Sequence, residues 1–399
     1  MSTTSPTSPA SPAASPASAP GTSAKPESKK AGLEGVSAAP SELCFIDGTA
    51  GRLVYRGYEI GDIVENTGFE EVAHLLWVGD LPNKAQLAAL KKDLTASMTI
   101  SPYVAGILAA TPKTAVPMDV LRTAVSALSA TDPDAESVDA DANLRKAIRL
   151  TAQLPVIVAQ FDRRRRGLPV VEKADPSLSL AGNFLYMLNG EKPNATLERV
   201  MDAALVLHAE HGMNASTFAA RVTAATLCDM HGAVTSAIAA LKGPLHGGAN
   251  QDVMELLLEC GTAEKAEETV RNRLANKQKV PGFGHRVYKT FDPRATFLRK
   301  MSKQLGEAAG ETKWYEMSEK LIPVMKSVKN LDPNVDFFSA SAYYTMGIPL
   351  DLFTGIFAIA RVVGWTGHIM EQQKNNRIMR PNDDYVGPFG KKVVPIEQR

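Results

Sequence analysis

Residues 215–241, ASTFAARVTAATLCDMHGAVTSAIAAL, are rich in alanine and carry Gly232 inside the run. Small side chains at that density let helices approach closely, which suits a buried bundle better than an exposed surface. The same helical period extends outward in both directions. Upstream, Met201, Ala204, Leu205 and His208 recur at three- and four-residue steps, as do Phe69, Val72, Ala73 and Leu76, and Leu87, Leu90 and Leu94. Downstream, Asp292-Pro293 sets an N-cap before a proline at the first helical position, and Ala295, Leu298, Met301 and Leu305 follow on one face. One segment breaks the pattern. CFIDGTAGRLVYR, residues 44–56, has two β-prone runs around a turn-rich centre and predicts a hairpin. The expected fold is mainly α with a minor N-terminal β ribbon.

At 399 residues the chain exceeds one minimal domain, and 44% hydrophobic with 22% charged residues is an ordinary globular composition. With 44 basic and 43 acidic side chains the net charge is +1, so no global field draws nucleic acid or an anionic membrane. An anionic ligand must be held by a local cluster. The one notable charge run, Arg163 to Arg166, reads as a solvated helix end or a phosphate contact before a nucleic-acid site. Cys44, Cys228 and Cys260 are scattered and odd in number, which argues against a disulfide framework or structural zinc and fits a reducing compartment. Apolar runs break before the roughly 20 residues that a membrane span needs, so no span is expected. Residues 1–32 are mostly Ser, Pro, Ala, Thr and Gly and predict a disordered tail. That tail is neither Arg-rich like a transit peptide nor apolar like a secretory signal, so a cytoplasmic location is expected.

Of the seven histidines, three stand among glycines and small polar residues: His211 in HGMNAST, His246 in GPLHGGAN and His285 in PGFGHRVYK. Flanking glycines let a ligand come close to the backbone, which core packing alone does not require. His74, His208, His231 and His368 lie in helical patterns and read as packed or surface residues. His208 and His211 are three apart and on a helix could face the same way, but neither H-E-x-x-H nor a Cys cluster accompanies them, so no metal is expected. Asp336, flanked by Val335, Phe337 and Phe338, is a carboxylate in apolar company. Such a group is costly to ionise, and its raised pKa suits proton abstraction from carbon; the plainer reading is a helix N-cap. Arg294 in FDPRA, Arg361 in ARVVGW and Arg380 in NNRIMRP complete the unusual positions.

In this order and spacing, HGMNAST, GPLHGGAN, VPGFGHRVYKTFDPRA, NVDFFSA and NNRIMRP resemble the citrate synthase family, from about Leu33 to Pro388. The resemblance implies a citrate synthase-like fold: a large helical domain over 33–245 and 341–399, a smaller one over 246–340, and an active-site cleft between them. It implies an acyltransferase of the tricarboxylic acid cycle that condenses oxaloacetate with acetyl-CoA and water to give citrate and CoA. Propionyl-CoA, as in 2-methylcitrate synthase, is the alternative acyl donor, and a non-catalytic metabolite-binding homologue is a further one. The CoA thioester is a substrate, and no cofactor is implied. Carried over by position, His246, His285 and Asp336 form the catalytic trio, and His211, Arg294, Arg361 and Arg380 hold oxaloacetate. Val280, Pro281, Gly282, Phe283, Gly284 and Lys289 fall to CoA. The family's last arginine comes from the neighbouring subunit, so the resemblance implies a homodimer with Arg380 reaching across.

Overall fold

The computed structural model describes residues 31–33 and 35–399, so the tail predicted over 1–32 lies almost wholly outside the described residues. The chain divides into Met1–Pro40 and Ser41–Arg399, and every element of the site belongs to the second unit. That unit begins with strands β1 (Cys44–Asp47), β2 (Arg52–Tyr55) and β3 (Tyr58–Glu59), an antiparallel sheet in sequential order. Cys44 pairs with Tyr55 and Asp47 with Arg52, so the hairpin forms where the sequence places it, with a third short strand added. Asp47 Oδ1 accepts the Thr49 and Ala50 amides at 2.9 Å and closes the turn.

Helices follow without further strands among the described residues. First come α1 (Ile60–Asn66), α2 (Phe69–Val78), α3 (Lys84–Ser97), α4 (Pro102–Ala110), α5 (Pro117–Leu128) and α6 (Ala140–Arg165). Next are α7 (Leu180–Asn189), α8 (Ala195–His208), α9 (Ala215–Ala224), α10 (Met230–Lys242) and α11 (Ala249–Cys260). The last are α12 (Ala263–Ala275), α13 (Pro293–Ala309), α14 (Lys313–Lys329), α15 (Val335–Thr345) and α16 (Phe353–Lys374). The alanine-rich run is thus two helices. Leu227, at φ 64°, turns the chain between them, and Asp229 caps α10 by accepting the Gly232 amide at 2.9 Å. The pair pack on each other as the small residues allow; a Cβ on Gly232 would lie 2.7 Å from Cys228 Sγ.

Helix α16 is the axis of the core. Every residue from Phe353 to Ile369 is buried, and α2, α6, α8, α9 and α10 all pack against it. The expectation that no apolar stretch reaches membrane-span length needs correction, because Leu350–Lys374 does by length and composition. Its apolar sides face protein all round, as in a helix at the centre of a large core. Helices α11 to α15 pack chiefly on one another, and reach the remainder through α13 on α8 and α1 and through α11 on α16.

The arginine run finishes α6. Arg163 is buried and donates to Leu188 O at 3.1 Å and to Pro169 O; Arg165 and Arg166 pair with Asp162 at 2.9 and 2.7 Å. Cations at a helix C-terminus satisfy free carbonyls and oppose the dipole, so this is the helix end of the two readings.

Close approach of α16 to the end of α8 depends on Gly364, where a Cβ would fall 2.4 Å from Ala209 O and 2.3 Å from Glu210 Oε2. Gly364→Ala is therefore expected to lower stability by about 1–3 kcal/mol, seen as a lower urea midpoint at unchanged slope. An unchanged midpoint would mean that this contact is looser than it stands here.

Candidate active site

The loop between α12 and α13 carries His285 and is strapped from two sides. Asn334, the N-cap of α15, gives its amide to Gly282 O and its Nδ2 to Gly284 O, both at 2.9 Å, and the Gly284 amide reaches Asp332 O at 2.9 Å. On the other side lies the β1–β2 turn. The Lys289 amide donates to Gly48 O at 2.8 Å, and a Cβ on Gly48 would fall 2.3 Å from Val287 O. Only glycine fits there.

This strapping sets the proton of His285, and Ser216 sets that of His246. His285 Nδ1 faces the Val287 and Tyr288 amides at 3.0 and 3.2 Å, so it accepts, and the proton sits on Nε2. His246 Nε2 faces the Ser216 amide at 3.2 Å and the Ser216 hydroxyl at 2.8 Å, which leaves the proton on Nδ1. Ser216, on α9, is itself fixed by the indole N–H of Trp365 at 3.1 Å. Burial, then the charge of Arg294, brings His285 down to about 4; burial, then Arg361, does the same to His246. Both rings are neutral hydrogen-bond donors at pH 7. His211 Nε2 shares a hydrogen bond with the Tyr288 hydroxyl at 3.1 Å, its ring centre lies 5.3 Å from that of His285, and burial holds it well below the ordinary histidine range.

Asp336 sits in the first turn of α15, one residue beyond Val335. The N-cap reading of Asp336 gives way to Asn334, whose Oδ1 accepts the Asp336 amide at 3.1 Å. Its carboxylate is therefore free of capping duty. Burial raises it to about 6, against the opposing pull of Arg294 and Arg361. Arg294 is buried and gripped twice by Asp292, at 3.0 and 2.8 Å, and Asp292 Oδ2 also accepts the Val335 amide at 3.1 Å. Arg361, buried in α16, gives Nε to His208 O at 2.6 Å and lies 4.7 Å above the Phe357 ring. Arg361 keeps both terminal nitrogens free and Arg294 keeps Nη1 free beside its Asp292 pair, which leaves guanidinium donors available to carboxylates.

Arg380 stands apart. It is exposed, beyond α16, and makes neither a hydrogen bond nor a salt bridge among the described residues. Of the CoA candidates, Val280, Pro281 and Gly282 are buried, Phe283 and Gly284 half-buried, and Lys289 exposed. The close approach expected at Gly282 is made to protein: a Cβ there would lie 2.7 Å from both Phe337 and Val253. The Phe283 ring sits 4.5 Å from that of Phe337, which joins the loop to the helix of Asp336.

Ser216, Tyr288 and Phe357 escape the sequence reading. Ser216 and Tyr288 lie inside motifs already quoted, and Phe357 is one helical turn before Arg361, on the same face. The signal was their spacing from a singled-out neighbour. Among the described residues no three His, Cys, Asp or Glu side chains are placed to hold a metal ion.

Residues 32–382 match the family model described as citrate synthase, C-terminal domain. The chain belongs to the citrate synthase family. It is 50% identical to Citrate synthase 2 of Bacillus subtilis over 370 residues, 92% of this chain and 98% of that protein. It is 42% identical to the 2-methylcitrate synthase of Shewanella oneidensis, with 92% and 98% covered. The crystal structure of the Thermoplasma acidophilum citrate synthase in ternary complex with carboxymethyl coenzyme A and oxaloacetate superposes with a TM-score of 0.86. That match is at 33% identity and covers 92% of this chain. The mainly helical fold with its small N-terminal sheet is that of the family.

A citrate synthase-family site whose histidine loop rests on Gly48 must be sensitive there. Gly48→Ala is expected to lower kcat by about tenfold or more, because misplacement of a catalytic group by a fraction of an ångström costs that much. The measurement is steady-state turnover beside a circular-dichroism spectrum; full turnover in the folded variant would show that the turn does not position His285.

Proposed function

We propose that the protein condenses oxaloacetate with acetyl-CoA and hydrolyses the product thioester to citrate and CoA. One observation carries the reading: Asp336, raised by burial to about 6, feels the same two buried guanidiniums, Arg294 and Arg361, that act on the neutral imidazoles of His285 and His246. Asp336 takes a proton from the acetyl methyl group while His246 Nδ1–H donates to the thioester oxygen, where enolate charge develops. The enolate carbon attacks the ketone carbon of oxaloacetate. His285 Nε2–H donates to the ketone oxygen and supplies its proton as the carbon–carbon bond forms. Water then cleaves the citryl-CoA thioester, releasing CoA as the thiol. Arg294, Arg361 and His211 hold the two carboxylates of oxaloacetate in this reading, and Val280 to Gly284 with Lys289 contact CoA.

Two further parts belong to the proposal. Residues 246–340 act as a smaller domain that closes over oxaloacetate and excludes water from the enolate. The protein works as a homodimer in which Arg380 completes the partner's site. Support comes from the exposure of Arg380 and from the apolar segment after it, where Val386, Phe389 and Val393 are 95%, 84% and 89% exposed. A cytoplasmic setting is supported by the three scattered cysteines. Propionyl-CoA stands as the second acyl donor, favoured by the 2-methylcitrate synthase relative, since one methylene is worth only about 1–3 kcal/mol in a pocket.

The test is release of CoA thiol from acetyl-CoA and from propionyl-CoA, each with oxaloacetate and with EDTA present. Acetyl-CoA is expected to give the higher kcat/KM. Because Asp336 acts only when ionised, kcat/KM should be flat above pH 7 and fall about tenfold per unit below about pH 6. Asp336→Asn should lower kcat at least a hundredfold with the fold kept. Turnover of the variant near that of the parent would remove Asp336 as base.

For Arg380, mixing inactive Asp336→Asn and Arg380→Ala chains should restore about a quarter of full activity, since half the dimers are mixed and each has one intact site. No recovery after subunit exchange would place Arg380 in its own chain's site.

A further inference from the structure

Behind Arg361 lies a buried ionic network that the reaction does not use. Glu210, immediately before His211, is wholly buried; its Oε1 lies 3.1 Å from His368 Nε2, and its Oε2 has no hydrogen-bond partner. His368, on α16, points its other nitrogen at Arg221 Nη1, 3.2 Å away. A guanidinium nitrogen has no lone pair, so His368 Nδ1 accepts and Nε2–H donates to Glu210. Arg221 is in turn fixed by Glu371 at 2.6 Å and by Gln372 at 3.1 and 3.0 Å.

Glu210 is the main counter-charge acting on buried Arg361, yet its one salt-bridge partner among the described residues is His368. Burial alone would raise the Glu210 carboxyl, but the hydrogen bond from His368 and the charge of Arg361 pull the other way, and the carboxyl stays below its ordinary range. A carboxylate free to move would close on Arg361 and take up the terminal nitrogens in a bidentate pair. Those nitrogens are the ones that a substrate carboxylate needs. The carboxylate is instead held back by a hydrogen bond, with one oxygen lodged in the space that Gly364 leaves open.

We propose that His368 is a positioning residue that tethers Glu210 away from Arg361. Glu210 thereby neutralises the buried arginine through space while its donors stay open to oxaloacetate. Arg221, locked by Glu371 and Gln372, holds His368 in the donating tautomer. The inference rests on the reading of Arg361 as an oxaloacetate residue.

The test compares His368→Leu, Glu210→Gln, their combination and Arg361→Leu in the full-length protein, reading KM for oxaloacetate against kcat and KM for acetyl-CoA. His368→Leu is expected to raise KM for oxaloacetate at least tenfold with less than threefold loss of kcat, because the released Glu210 competes with substrate. Adding Glu210→Gln should bring KM most of the way back, since the competitor has lost its charge. His368→Gln, whose amide can both donate to Glu210 and accept from Arg221, should keep KM near the parent value. A merely structural His368 would give a double variant worse than either single one, and that result overturns the proposal. So does an unchanged KM in His368→Leu when Arg361→Leu raises it. If Arg361→Leu itself leaves KM unchanged, it is the reading of Arg361 that fails. Should the leucine variant not fold, His368→Asn shortens the tether and keeps polarity; the same rise and the same suppression by Glu210→Gln are then required.

Discussion

A guanidinium inside a helix that is buried on every side is the constraint from which this site follows. Arg361 lies in the middle of α16, whose other neighbours are almost all apolar. Charge in such a place costs several kcal/mol unless it is paired or hydrogen-bonded. The protein meets that demand without spending the terminal nitrogens: Nε goes to the His208 carbonyl, the face lies on Phe357, and Glu210 acts from a distance. Arg294 solves the same problem differently. Asp292 grips it directly and, through the Val335 amide, ties it to the helix that carries Asp336. In both cases the positive charge is in place within the folded chain, with guanidinium donors left over.

The same low-dielectric setting fixes the protonation of His246, His285 and Asp336. Burial and two nearby arginines keep His246 and His285 neutral, whereas burial raises Asp336 towards neutrality. The proton positions then come from the backbone. Amides of Val287 and Tyr288 occupy one nitrogen of His285, and the amide and hydroxyl of Ser216 occupy one nitrogen of His246. Each ring is left with a single N–H, and neither needs to be charged to donate it. Neutral donors suit enolate chemistry because they stabilise developing charge without first protonating the base beside them.

Helical period, the hairpin and the residues of the glycine-flanked histidine motifs were legible in sequence because each is encoded within a few positions. Asp292-Pro293 starts α13 as read, and the 44–56 hairpin forms in register. What escaped was encoded across long separations. The Gly48 turn meets Val287 over more than two hundred residues of chain, and Glu210 meets His368 across 158; no local pattern announces either. His368 read as an ordinary packed residue because it sits at helical spacing, and packed it is, but against charges. Gly282 misled in the opposite direction. Its glycine serves contact with Phe337 and Val253, a reason for glycine that sequence alone does not separate from ligand approach. The α9–α10 break failed to show because Leu227 carries a positive φ that leucine rarely adopts.

His246 and His285 stand as neutral donors with opposite tautomers. Nitrogen-15 NMR of ring-labelled protein at pH 7, assigned with single histidine substitutions, measures this directly. The expected result is Nε2–H on His285 and Nδ1–H on His246, with neither ring gaining a proton above pH 5. An imidazolium at either position at pH 7, or the reverse tautomer, would contradict it.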